Sequence, residues 1–392
     1  MDGYNRAAPV YNLPTMGDFE FQFLNGNQDF LTYSLALSME EWLSFKSVEE
    51  FKKAFEIRSK SRCSAIVKVT PLLDDVFIAH STWSEYFWMN RVFKHYLLKL
   101  KMPIPTTHMA FSSYPASLSS IDDWYVMDSG LAVVETTNDI FNKSLFSRLT
   151  PETLLSWQRV RIANALATTA QEWTQIFAEY NSGTYNNQWI ALQFSAFKPN
   201  QPLPDGLVWI AEQIPGNVSF MDVTSEVERG YWGSYVNQCF LFFNVPAIEY
   251  IYKISGNEAI AKAFGPSLSY DLAPRARIFR RDANNCNNVT TLGKFMRYNN
   301  YLNDPIENND PSWAIMSRYD LSKDPSAFGG VDTKMSNLEM MQNVYGLAQA
   351  GPTHDDLPPF VWTAEFDKFN DHIACPIKYD FDWIEMKSAL QD

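Results

Sequence analysis

Several common protein classes are excluded by what this sequence lacks. It holds four cysteines in 392 residues, Cys63, Cys239, Cys286 and Cys375, with no CxxC pair, so neither a zinc site of the usual spacing nor a disulfide framework is legible. Basic charge is scarce. The 32 Lys and Arg stand against 45 Asp and Glu, a formal charge of −13, which argues against a nucleic-acid backbone or an anionic membrane surface as main partner. Long apolar runs are missing too: residues 240–254, the most apolar stretch, are broken by Asn244, Pro246, Glu249 and Lys253, and no transmembrane segment is expected. Residues 1–15 carry no positively charged region followed by an apolar core, so no signal peptide is expected in the chain as written. GxSxG, HExxH, P-loop and GxGxxG motifs are missing from the contexts they require, which weakens serine-hydrolase, zinc-protease and nucleotide-binding readings. With no fixed-period repeat and no low-complexity linker, one domain is the expectation.

What is present is a large potential core. Hydrophobic residues make up 46% of the chain and aromatics 15%, which excludes general disorder. Cys63, Ala65, Val67 and Val69 alternate in the manner of a half-buried strand. Turn residues Pro71 to Asp75 and a β-rich run Val76 to Ala79 complete a hairpin centred near Leu73. Antiparallel pairing about that centre carries Cys63 to the level of residue 83, so Cys63, His80 and Trp83 gather at one end. Thr82 and Glu85 form a capping-box pattern, and Tyr86, Met89, Phe93, Tyr96, Leu97 and Leu100 predict a helix, with His80 at a strand-to-helix corner. Residues 124–127 and 131–137 read as another hairpin around Gly130, and Thr150-Pro151-Glu152 as the start of a helix running to about Tyr180. Residues 189–194 and 207–214 read as strands. Hairpins with long helices imply a layered α+β domain on antiparallel sheets.

The residues that could carry chemistry have bland readings as well. A cysteine heading a strand is usually core. If the peptide bond before Cys63 is cut, however, the new α-amine, of pKa about 8, can take the thiol proton without a separate base. His80 is read as either a satisfied structural histidine or a partner of Cys63, and Trp83 as core or as the wall of an acyl pocket. Thr136 and Thr137 are β-formers whose hydroxyls matter only if their strand borders Cys63. Arg275, Arg277, Arg280 and Arg281 form a basic cluster suited to surface ion pairs or, in a cleft, to a carboxylate, phosphate or oxyanion. Asp122 and Asp123, as neighbours on a strand, would point to opposite faces and are read as structural. Asn142, Asn217 and Asn288 head three sequons, candidate glycan acceptors if the chain enters the secretory route.

In order along the chain, the blocks Cys63-Ser-Ala-Ile-Val-Lys, Ala79-His-Ser-Thr-Trp83, Glu135-Thr-Thr-Asn138, Asn181-Ser-Gly-Thr-Tyr-Asn-Asn-Gln-Trp189 and Gly230-Tyr-Trp232 resemble the phospholipase B-like family of N-terminal-nucleophile hydrolases. So do Tyr270-Asp-Leu-Ala-Pro-Arg-Ala276, Met296-Arg-Tyr-Asn-Asn-Tyr301 and Asp332-Thr-Lys334. The resemblance implies a four-layer αββα sandwich and autocatalytic cutting between Arg62 and Cys63. It also implies an enzyme of two associated fragments, residues 1–62 as the end of the small chain and 63–392 as the large chain, within one domain. By matching position it assigns active-site roles to Cys63 as nucleophile, His80, Trp83, Thr137, Asn237 and Arg275. It implies deacylation of phospholipid or another acyl lipid, no metal or organic cofactor, and a lysosomal or secreted glycoprotein. An N-acyl amide hydrolase of the same fold, or a non-catalytic lipid-binding relative, is the alternative. Three departures stand out: Val236 follows Ser234-Tyr235 where the family has Asn, with Asn237 one place later; Ser312–Ser317 and Val331 replace positions where cysteines are usual; and the segment ahead of Phe21–Leu37 is shorter than in the family, as in a shortened relative or partial gene model.

Overall fold

Residues 64–69, rich in β-branched and small apolar side chains, form the first strand, β1 (Ser64–Val69), and a turn with Leu73 at φ 53° leads into β2 (Val76–Glu85). Their antiparallel register pairs Ser64 with Ser81 and Ala65 with His80, within one residue of the pairing expected from the hairpin centre. In this computed structural model, described for residues 1–37, 63–120, 122–235, 246–265, 269, 271–368 and 371–389, β1 is buried on both faces rather than half-buried. The reason is that layers lie on either side of it.

The strands between are β3 (Val92–Leu97), β4 (His108–Ser113), β5 (Trp124–Met127), β6 (Ala132–Thr137), β7 (Asn187–Leu192), β8 (Val208–Ile214) and β9 (Asn217–Asp222). These seven form one antiparallel sheet in sequence order. With β10 (Tyr231–Tyr235), β11 (Phe328–Asn337), β12 (Leu347–Ala350) and β15 (Ile384–Glu385), β1 and β2 form the other sheet, ordered β10-β1-β2-β11-β12-β15. A small ribbon, β13 (Phe360–Val361) with β14 (Lys378–Tyr379), stands apart.

The inner faces of the two sheets meet in a core that includes Ala65, Val67, Ile78, Val126, Val134 and Ile190. Helices α2 (Ser156–Leu166) and α3 (Ala170–Ala178) cover the outer face of the seven-stranded sheet, packing Val160, Trp173 and Phe177 on Tyr125 and Trp189. Helices α4 (Pro274–Asp282) and α5 (Val289–Met296) cover the outer face of the other, where Ser81 donates to the Met296 carbonyl of α5 at 2.6 Å. The result is the four-layer αββα sandwich with antiparallel sheets. Upstream of Cys63, α1 (Asn27–Leu37) reaches α2: the Asp29 carboxylate accepts from the Ser156 N–H at 3.0 Å and so caps it.

Two expected helices are corrected. Residues 82–100 are not helical: β2 continues to Glu85, a short 3₁₀ turn spans Tyr86–Met89, and β3 pairs with β4 from Val92↔Ser113 to Leu97↔His108. The apolar spacing suited both periods, and sheet pairing decided; Thr82, expected as a helix cap, faces the inter-sheet space. His80 therefore lies within a strand, not at a strand-to-helix corner. The helix expected over residues 150–180 is two helices, broken at residues 167–169, where the Thr169 hydroxyl caps α3 by accepting from the Glu172 N–H at 3.1 Å.

Candidate active site

Strand alternation sends Cys63, just ahead of β1, toward the inter-sheet space and Ser64 toward α4. Cys63 is 5% exposed, and the backbone N–H of Trp83 favours the ionised form of its thiol. Cys63 Sγ, a ring nitrogen of His80 and a carboxylate oxygen of Glu135 lie within 4.8 Å of one another. His80 is fully buried; its Nε2 sits 2.9 Å from the Glu135 carbonyl oxygen, and its Nδ1 3.3 Å from Thr82 Oγ1. With a carbonyl opposite Nε2, the proton belongs on Nε2 and the lone pair on Nδ1.

Charge around this centre is arranged in a closed network. Asp122, just ahead of β5, accepts from Arg91, Lys334, Ser120, Ser112 at 2.7 Å and Thr82 at 3.2 Å. Asp332 pairs with Lys334 at 2.8 Å and Arg91 at 3.1 Å. Burial works against the charge on Asp122, yet Arg91 and then Lys334 hold its carboxyl well below the usual range. Burial, then the Lys334 ammonium, hold His80 well below its ordinary value and therefore neutral. Burial, then Glu135, push the Cys63 thiol well above its ordinary value. The thiol is thus protonated at rest. Cys, His and Glu are metal-ligand types, but the Lys334 ammonium bears on the same histidine and disfavours a cation there.

On the helix side, Arg275 Nη1 donates to the Cys63 carbonyl at 2.9 Å and to Ser64 Oγ at 3.2 Å, and its guanidinium lies 4.1 Å above the Trp83 ring. Trp83 Nε1 and Ser64 Oγ both donate to the Ile315 carbonyl, at 3.0 Å each. Arg275 therefore holds the backbone of Cys63 from the face opposite the thiol. Thr136 is buried with its Oγ1 2.5 Å from Ser234 Oγ of β10, whereas Thr137, half-buried at the end of β6 opposite Asn187, shares the face of Glu135. Arg62, Val236 and Asn237 lie outside the described residues, as does Cys239. Of the sequon asparagines, Asn142 donates through its side-chain amide to the Ile254 carbonyl at 2.9 Å, Asn217 is half-buried at the start of β9, and Asn288 is exposed and caps α5.

Sequence reasoning gave no role to Glu135, Lys334, Asp332 or Arg91, and read Asp122 as structural. Asp332 and Lys334, two apart in a β-rich run and so on one face, were a legible pair; pairing of β11 with β2 sets Lys334 opposite His80, and Arg91, Asp122 and Glu135 lie in or beside the strands of the seven-stranded sheet.

The αββα sandwich with antiparallel sheets, with Cys63 just ahead of β1, is the fold of the N-terminal-nucleophile hydrolase type. The phospholipase B family model matches residues 1–386, and the chain belongs to that family. It is 40% identical over 394 residues to human (Homo sapiens) phospholipase B-like 1, covering 99% of this chain and 68% of that one. It is 38% identical over 405 residues to phospholipase B-like protein A of Dictyostelium discoideum, covering 98% and 69%. Among solved structures, a mutant conjugated bile acid hydrolase from Clostridium perfringens aligns with TM-score 0.37 at 7% identity, over 74% of this chain and 89% of that one.

Proposed function

We propose that Cys63 is the nucleophile of a phospholipid-deacylating hydrolase and that it is exposed by self-cleavage after Arg62. The observation that carries this reading is the thiol's position: buried at the head of β1, under the Trp83 N–H and beside His80 and Glu135. In self-cleavage, Cys63 Sγ attacks the Arg62 carbonyl carbon as its proton leaves. The Arg62–Cys63 C–N bond then breaks, the departing nitrogen takes a proton, and water hydrolyses the thioester to a carboxylate and the free thiol. The released α-amine then serves as the base that the buried, neutral thiol lacks. On an acyl ester the same sequence forms an acyl-thioester, releases the lysolipid alcohol, and ends in release of fatty acid by water. Residues 1–62 and 63–392 stay together as one domain, since Asp29 caps α2.

Familial resemblance supports a lysosomal or secreted location. Intact-mass measurement of the purified chain during incubation at acidic pH tests the cleavage, with Cys63→Ala as control. Fatty-acid release from phosphatidylcholine vesicles, compared with release from N-acyl amines, tests the substrate. Cutting before residue 63 in the wild type alone, with release from the phospholipid, is expected. Release from the amide alone replaces the substrate class, and an uncut wild type indistinguishable from Cys63→Ala removes the enzyme reading.

A further inference from the structure

Asp123 and Glu135 are fully buried acids outside the Arg91–Lys334 network, and one phenol joins them. Tyr185 Oη lies 3.0 Å from Asp123 Oδ2 and 3.2 Å from Glu135 Oε1. A phenol has one hydrogen, so two carboxylates cannot both accept it; the second contact needs a carboxyl O–H donating to the phenol oxygen. The other oxygens are taken. Tyr125 donates to Asp123 Oδ1 at 2.8 Å, and the Asn187 amide, with its nitrogen toward the acid, donates to Glu135 Oε2 at 3.2 Å and to the Asn186 carbonyl at 2.8 Å. The line Asp123–Tyr185–Glu135 therefore holds one shared proton, and burial raises both carboxyl groups well above their ordinary values, with Asp123 adding to the rise at Glu135 and Asp122 to that at Asp123. Its Glu135 end stands beside the Cys63 thiol.

Tyr185 is kept in place against its own backbone preference. Its φ is 46°, in the left-handed region that a bulky side chain avoids. Its N–H donates to Thr32 Oγ1 at 3.1 Å and its carbonyl accepts from Gln213 Nε2 at 2.9 Å. The preceding Thr184 hydroxyl donates to Asp29 Oδ1 at 2.6 Å. Asp29 and Thr32 both belong to α1, ahead of Cys63 in the chain, and a small cavity lined by Asp29, Asp123, Tyr185, Trp157, Val160 and Trp189 lies at this junction.

We infer that Glu135 and Tyr185 are positioning residues of the Cys63 centre, and that α1 is part of the same device, holding the Tyr185 turn through Asp29 and Thr32. This rests on Cys63 being the nucleophile. The neutral acid beside the thiol spares the forming thiolate a second negative charge, and the shared proton keeps it neutral while the thiol reacts. The groups facing the thiol and Glu135 are His80 of β2, Lys334 of β11 and Asp122 and Asp123 ahead of β5, with Arg91, Tyr114 and Tyr185 around them.

The test follows self-cleavage by intact mass and the pH dependence of Cys63 alkylation by iodoacetamide in the cleaved protein, for Glu135→Gln, Tyr185→Phe and Thr32→Val. Once the pH is high enough to take the shared proton, the Glu135 charge raises the thiol and a glutamine has none to offer, so Glu135→Gln moves the alkylation midpoint to lower pH, by about one unit. Tyr185→Phe and Thr32→Val each slow cleavage about tenfold, and the double variant is no slower than the worse single one, since both act through one turn. If the wild type is cut and these variants match it in rate and midpoint, the inference falls while the Cys63 reading stands. Slower cleavage with an unmoved midpoint in Glu135→Gln is a folding effect and also overturns it. A wild type that is not cut takes both readings down.

Discussion

Replacing Arg275 by Met tests whether the nucleophile is held from behind. Arg275 sits in the first turn of α4, 9% exposed, and touches the reacting residue through the Cys63 carbonyl, on the far side of the sheet from the thiol. Methionine fills similar space but removes a charge-assisted hydrogen bond to that carbonyl, worth about 1.5–3 kcal/mol. It also removes a desolvated cation–π contact with Trp83, worth about 2 kcal/mol. Part of each loss is recovered by the thioether against the indole, so the expected loss of stability is about 3 kcal/mol, read by guanidinium denaturation. The rate effect follows from position. With the carbonyl released, Cys63 can shift relative to the Trp83 N–H, and a displacement of about 1 Å at a reacting atom slows a reaction by about 100-fold. The intact-mass time course of self-cleavage is therefore expected to slow by that factor in Arg275→Met and by about tenfold in Arg275→Lys, which keeps the charge but not the fork. A methionine variant that is destabilised but is cut within threefold of the wild-type rate would refute the anchoring argument.

Two further outcomes follow from the same geometry. Gly329, at φ 139° where β11 passes Ser84 of β2, would bring an added Cβ against the Ser317 carbonyl oxygen; Gly329→Ala is expected to lose about 3 kcal/mol in chemical denaturation, and a loss below about 1 kcal/mol counts against the close approach. Glu307 is fully buried with Oε2 lacking a hydrogen-bond partner, and burial pushes its carboxyl up to about 7 from an ordinary 4.5. Between those values the folded chain binds more protons than the unfolded one, so this residue's contribution falls as pH rises, by up to about 3 kcal/mol. Denaturation at pH 5 and pH 7.5 is expected to show that the fall is larger by about this amount in the wild type than in Glu307→Gln; identical pH dependence in the two proteins would remove the assignment.

The hairpin that brings Cys63 level with Thr82 was legible because its determinants are local: a turn at residues 71–75 and runs of β-formers on either side. Residues 86–97 misled because Tyr86, Met89, Phe93, Tyr96 and Leu97 suit a helical period while residues 92–97 also form a strand, and only pairing with β4 chooses between them. The break at residues 167–169 had no Gly or Pro to announce it. Lys334, Arg91 and Asp332 were illegible as a group for another reason. Each finds its partners across β2–β11 pairing or between sheets, so no spacing along the chain encodes their meeting.

Asp122 and Asp123 carry the point furthest. Reading them as divergent neighbours held, although they precede β5 rather than lie in a strand, and Asp123 has φ 30°. The divergence does more than place them structurally. Asp122 faces Arg91 and Lys334 and is held ionised, so it offsets the ammonium that, after burial, keeps His80 uncharged. Asp123 faces two phenols and, among the described residues, pairs with no cation; it shares its proton through Tyr185, and so bears on the charge of Glu135 at the thiol. Two identical side chains on neighbouring residues thus favour different protonation states near one nucleophile, and the difference comes from what each turns toward rather than from the residue type.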